Sequence, residues 1–142
     1  MVDTKARIIF SRALARFAKG TITNFEYERE FESQFPADTN DLAILRIRDK
    51  IACLYSDLNE HKLDGDRSPV AEVRAVIDRC ILFLHTDLEY EWPKRKTLVD
   101  RFLQVLNLGR YKTGVVFDDD FHFWPFIRET DYLKASKRVS AS

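Results

Sequence analysis

Residues 68–88 read SPVAEVRAVIDRCILFLHTDL, and their spacing decides the fold class. Ser68-Pro69 is a helix start, because a serine side chain accepts early backbone N–H groups and proline at the first helical position gives up an N–H with no partner there. From there Val70, Val73, Val76, Ile77, Cys80, Ile81, Phe83, Leu84 and Leu88 recur at helical spacing and cover nearly half the circumference. This stretch is expected to be the most buried element of an all-α protein.

Upstream, the same period governs most of the chain. After Asp38-Thr39-Asn40, the residues Ile44, Ile47, Ile51, Leu54, Tyr55 and Leu58 fall in a stripe about 100° wide, which predicts a long helix to about His61. Leu63-Asp64-Gly65-Asp66-Arg67 then reads as a turn. A first helix is predicted over Thr4 to Lys19, with Asp3 as its N-cap and Gly20 as its stop. Ala6, Phe10, Ala13, Leu14 and Phe17 share one face of it, and Lys5, Arg12, Arg16 and Lys19 share another. That basic stripe can dock phosphates or an acidic partner, although a solvated face is the ordinary reading. Asn24 is expected to cap a second helix to about Ser33, ending before Pro36. Its Glu26, Glu28, Glu30 and Glu32 make it an acidic counterpart to the basic first helix, so the two are expected as neighbouring hairpin arms.

Downstream, Pro93 ends helical geometry at Trp92 and opens a basic connector, Lys94-Arg95-Lys96. A fifth helix is expected from Thr97, carrying Leu98, Val99, Phe102, Val105 and Leu106 and stopping at Gly109. Between 113 and 126, an aromatic loop packed over the helices is preferred to a short hairpin, because an isolated hairpin is marginal. A last helix is expected from Thr130 to Lys137, with a frayed tail over 138–142. The reading is a single all-α, bundle-like domain of five or six helices over 1–142.

Composition agrees with a packed chain. Eleven Phe, five Tyr and two Trp stand against four Gly and four Pro in 142 residues, enough length and apolar area for a core without metal or disulfide. Lys plus Arg equal Asp plus Glu at 23 each, so no global field draws the chain to nucleic acid or an anionic membrane. Cys53 and Cys80 each lie in an apolar helical pattern and are expected to be reduced, which points to a cytoplasmic protein. No uninterrupted apolar run approaches the ~20 residues of a membrane span, and no cofactor is implied.

Two stretches echo each other: Leu54-Tyr55-Ser56-Asp57-Leu58 and Leu84-His85-Thr86-Asp87-Leu88. One further turn on the fourth helix would set Asp87 within its apolar face, where a carboxylate must be paired. If the helix frays by Thr86 instead, Asp87 caps the turn that follows. Asp57 and His61, four apart on a helix with Glu60 beside them, have a spacing that suits two ligands to one divalent metal. With Asp87 and Glu91 they define a candidate metal-dependent hydrolase or nuclease site. It lacks the paired ligands of a motif such as HExxH, meeting His85, Asp87, Glu89 or Glu91 would need two helix C-termini that a simple antiparallel hairpin separates, and a local Asp–His hydrogen bond is the ordinary alternative. The run Asp118 to Asp120 with His122 reads as a solvated turn.

Trp92-Pro93 and Trp124-Pro125 form a second echo. Trp92, Trp124 and Tyr90, with Lys94, Arg95 and Lys96, are the candidate binding residues, since aromatics beside cations anchor interfaces or stack bases. Core packing is the ordinary alternative for both tryptophans. There is no GxSxG, P-loop or GxGxxG.

The segments LYSDL with its following histidine, LEYEWP and WPF resemble small helical bacterial proteins of uncharacterised families, over roughly Asp41 to Ile127. The resemblance implies no activity. Some bacterial proteins of this size act as immunity partners of toxins, a role that no motif here specifies. The expected function is a protein-interaction or regulatory module, its partner another protein or a second copy of the chain.

Overall fold

The first three helix starts of this chain are each marked by a side chain that takes up an unpaired backbone N–H group: Asp3, Thr23 and Asp41. The computed structural model describes residues 1–35, 39–55, 59–64, 68–91 and 122–140. Among these, five helices and no strand are present: α1 (Thr4–Ala18), α2 (Asn24–Gln34), α3 (Leu42–Ala52), α4 (Ser68–Leu84) and α5 (Glu129–Ser140). The all-α reading holds. The fifth helix expected from Thr97 and the aromatic loop over 113–121 lie outside the described residues, while 122–125 form a turn with a cis Trp124–Pro125 bond.

α1 follows the sequence closely. The Asp3 side chain accepts from the Ala6 N–H, and Gly20 at φ +67° ends the helix with paired bonds from the Gly20 N–H to the Phe17 carbonyl and from the Thr21 N–H to the Arg16 carbonyl. α2 starts one residue earlier than expected from its cap, because Thr23 and Glu26 form a reciprocal capping box. Asn24 is instead buried and holds a distant strand of chain: its Oδ1 accepts the His61 N–H at 2.8 Å and its Nδ2 donates to the Asn59 carbonyl at 3.2 Å. α5 runs past its expected end at Lys137, into the expected tail, to Ser140, with Glu129 and Asp131 in its first turn and Lys137 and Arg138 in its last, the charge order that a helix dipole favours.

Two helix ends correct the periodicity. α3 stops at Ala52 rather than near His61, turning through bonds from the Cys53 N–H to the Lys50 carbonyl and from the Leu54 N–H to the Ile51 carbonyl. Beyond it, the His61 backbone pairs in both directions with Asn24, and that tertiary pairing replaces the bonds a longer helix would have made. Cys53 is consequently exposed at the end of α3, not part of an apolar face. α4 likewise stops at Leu84, with the Thr86 hydroxyl and N–H both donating to the Phe83 carbonyl.

α1 and α4 pack antiparallel, and arginines tie both ends of the pair. Arg7, early in α1, donates to the carbonyls of Thr86 and Leu88 just past α4, while Arg74 of α4 donates to the carbonyl of Ala18 at the end of α1. Arg74 thus meets the carbonyl end of α1, where a helix dipole favours a cation, and Arg7 meets carbonyls of the chain that follows α4. α2 runs antiparallel along another side of α1, where Phe10 meets Phe31 and Phe35 edge-on and Phe17 stacks on Tyr27 at 5.2 Å. The Arg16–Glu30 pair at 2.8 Å bridges the two arms, as the complementary charges suggested. Flanked by two helices, α1 buries seven residues and is more enclosed than α4, whose Val70, Val73, Ile81 and Leu82 are only half-buried. Ile44, Ile47 and Ile51 of α3 are fully buried, and Phe126 with Ala135 brings α5 onto α4.

Candidate functional site

The buried polar chemistry of this protein centres on Arg7 and Asp41. Arg7 lies three, seven and ten residues before Phe10, Leu14 and Phe17, so helical geometry points its side chain into the core. It is 1% exposed, and its Nε and Nη2 donate to the two oxygens of Asp41 at 2.7 and 3.1 Å. Asp41, 2% exposed, also accepts the N–H groups of Asp3 and Ala43, the latter as N-cap of α3. Burial alone would raise the Asp41 pKa, but the Arg7 and backbone donors outweigh it and hold the carboxyl below its ordinary range. Every polar arm of Arg7 is engaged, with the guanidinium 5.5 Å from the Phe83 ring centre. The pair joins α1, α3 and the end of α4, and four of the five Arg7 N–H donors are already engaged within the protein.

Ser11 and His85 form a second tertiary pair, Oγ to Nε2 at 3.0 Å. The same hydroxyl lies 2.9 Å from the Ile8 carbonyl, so its single proton has two competing acceptors within the protein. A serine nucleophile needs an open approach, whereas Ser11 is buried. The geometry is that of a structural contact.

The sequence candidates are dispersed. Asp57, Trp92, Lys94, Arg95 and Lys96 lie outside the described residues. His61 lies outside any helix, its Nδ1 2.9 Å from the Asn59 carbonyl, so it cannot share a helix face with Asp57. Asp87 is exposed and beyond the end of α4, not on its apolar face, and the chain around it is held by the Thr86 hydroxyl accepting the Leu88 N–H. Glu91 is exposed as well. Among the described residues no group of three or more His, Cys, Asp or Glu side chains is placed to hold a metal ion. Tyr90 and Trp124 do come together, the indole Nε1–H donating to the Tyr90 hydroxyl at 3.1 Å, but both are half-buried against the core beside Phe83 and Phe126. Burial raises the Tyr90 pKa against the opposing indole bond.

Among the described residues, the outer face of α1 is open to solvent. Lys5, Arg12, Arg16 and Lys19 are exposed along it, flanked by Ile8 at 37% and Ile9 at 44% exposure. At 100° per residue all six fall within an arc of about 100°, and the 15 residues of the helix include no acidic side chain. The basic stripe was legible in the sequence; the two isoleucines on the same arc were missed, though the same angles contain them. Arg7 and Asp41 were missed too, and the signal for Arg7 was a cation in phase with the apolar face.

Compared with protein-family models, with curated proteins and with solved structures, the chain matches none. Among the described residues no helix is long and apolar enough to cross a membrane.

Proposed function

We propose that this chain is a protein-interaction module and that the outer face of α1 is its docking surface. The observation that supports this is the combination of four cations and two solvent-exposed isoleucines on one arc of a helix that carries no acid. A solvated helix face more commonly mixes both signs and carries few large apolar residues. The opposite arc, from Phe10 to Ala18, is locked into the core, so the face is presented rigidly and loses little freedom on binding. Apolar contacts at Ile8 and Ile9 supply affinity, and the surrounding cations supply orientation and rate.

Lysine-directed cross-linking under native conditions, followed by identification of the attached peptides, tests the proposal. Cross-links through Lys5 and Lys19 to one defined protein surface are expected, and an Ile8→Ser/Ile9→Ser variant that melts like the parent should lose them. Identical cross-links in parent and variant would place the interaction elsewhere and end the proposal.

A further inference from the structure

We infer that the occupant of the α1 face is an acidic amphipathic helix of a partner protein, an inference that rests on the docking surface proposed above. The dimensions come first. Lys5 to Lys19 spans about 21 Å at 1.5 Å per residue, with cations following one another at rises of about 10, 6 and 4.5 Å. These intervals approximate two turns, one turn and slightly less than one turn of a facing α-helix, whose pitch is about 5.4 Å, so carboxylates at helical spacing meet them in sequence. Ile8 and Ile9 lie on the two flanks of the row, between Lys5 and Arg12, and give apolar side chains of the same ligand a place to sit. This is the mixture of anchors and charges that an amphipathic helix carries at positions three and four apart.

The neighbouring helix decides against broader polyanions. α2 runs beside α1, and Glu30 pairs with Arg16 at the edge of the cationic row. Glu26, one turn away on the same side of α2, is exposed. A nucleic-acid duplex or an anionic bilayer is wider than one helix, and either would bring its phosphates onto those carboxylates as well as onto the cations. A single helix about 10 Å across can contact α1 alone. Lys5, Arg12 and Lys19 form no ion pair among the described residues, so they enter such a contact without breaking one.

Four labelled probes test this against the intact chain by fluorescence anisotropy and by amide chemical-shift mapping: a roughly 15-residue helix-stabilised peptide with glutamates and leucines at helical spacing, its scrambled isomer, a DNA duplex, and phosphatidylserine-containing vesicles. The amphipathic peptide is expected to bind with shifts along α1, about tenfold more tightly than the scrambled isomer, and to lose about tenfold in the Arg12→Glu and Ile8→Ser/Ile9→Ser variants. Equal or tighter binding of duplex or vesicles at α1 would overturn the helix as occupant while keeping α1 as a docking surface. So would a dimer of this chain that Arg12→Glu dissociates. Peptide binding that maps away from α1 and ignores both variants would overturn the docking surface itself, and binding of no probe would overturn the inferred ligand.

Discussion

Replacing Arg7 by methionine removes the guanidinium while keeping most of the side-chain volume, and the structure allows its cost to be worked out. The substitution deletes two charge-assisted bonds to Asp41 and one each to the carbonyls of Thr86 and Leu88. Asp41 stays 2% exposed with only the Asp3 and Ala43 N–H groups, and leaving one member of a buried ion pair alone costs about 3–5 kcal/mol. The two carbonyls add less, because they are only partly buried and water can reach them. A loss of about 4 kcal/mol follows, a large share of the roughly 5–15 kcal/mol that stabilises a domain. It corresponds to a fall in Tm of roughly 12 °C at about 3 °C per kcal/mol for a chain of this size. Urea and thermal unfolding followed by circular dichroism would measure it, alongside Asp41→Asn and the double variant. Since the residues touch, the double variant should cost at least about 2 kcal/mol less than the sum of the single ones. An Arg7→Met cost below about 1 kcal/mol, or strictly additive single variants, would show that the pair does not hold α1, α3 and the end of α4 together.

Three further outcomes follow from the same structure. The Asp41 carboxyl has a pKa lowered by folding, so its contribution is complete above the unfolded value of about 4 and lost as pH falls through the folded value; stability should be flat in this respect at neutral pH, and Asp41→Asn should lose less stability than the parent between about pH 5 and 2, measured by urea midpoints. Gly20→Ala should destabilise by about 2 kcal/mol or more, because φ +67° is strained for a residue with a Cβ and that atom would stand 2.7 Å from the Leu63 carbonyl oxygen; an unchanged Tm would contradict this. Tyr27→Phe should leave stability unchanged or raise it by up to about 1 kcal/mol, since the Tyr27 hydroxyl is buried with no hydrogen-bond partner among the described residues while the ring keeps its stack on Phe17. A loss above about 1 kcal/mol in denaturant unfolding would mean that the hydroxyl is satisfied.

How much could be read in advance differs from element to element. For α1 the pattern sufficed: Asp3 caps it, Gly20 ends it, and Phe10, Leu14 and Phe17 define its buried arc. The basic outer face came from the same angles. For α3 the apolar stripe continued through Leu54 and Tyr55, yet the helix stopped at Ala52. Those two side chains still pack against the core from a turn, so the stripe was a true burial signal and a false helix signal. The echo at Leu84 to Leu88 failed in a related way. Its function in the fold is carried by two backbone carbonyls that receive Arg7, and carbonyls leave no mark in a sequence.

The amino-acid sequence by itself determined the helical class, the core arcs and the charged faces, because each depends on side chains within one or two turns of one another. The tertiary structure alone decided where α3 and α4 end, that Arg7 is buried on Asp41, and that Asp87 stands in solvent. Those outcomes turn on partners 34 to 81 residues apart: Arg7 with Asp41 and with the carbonyls past α4, Asn24 with His61. A helix end is a competition between the next intrahelical bond and another partner for the same backbone group, and the chain pattern describes only the first competitor.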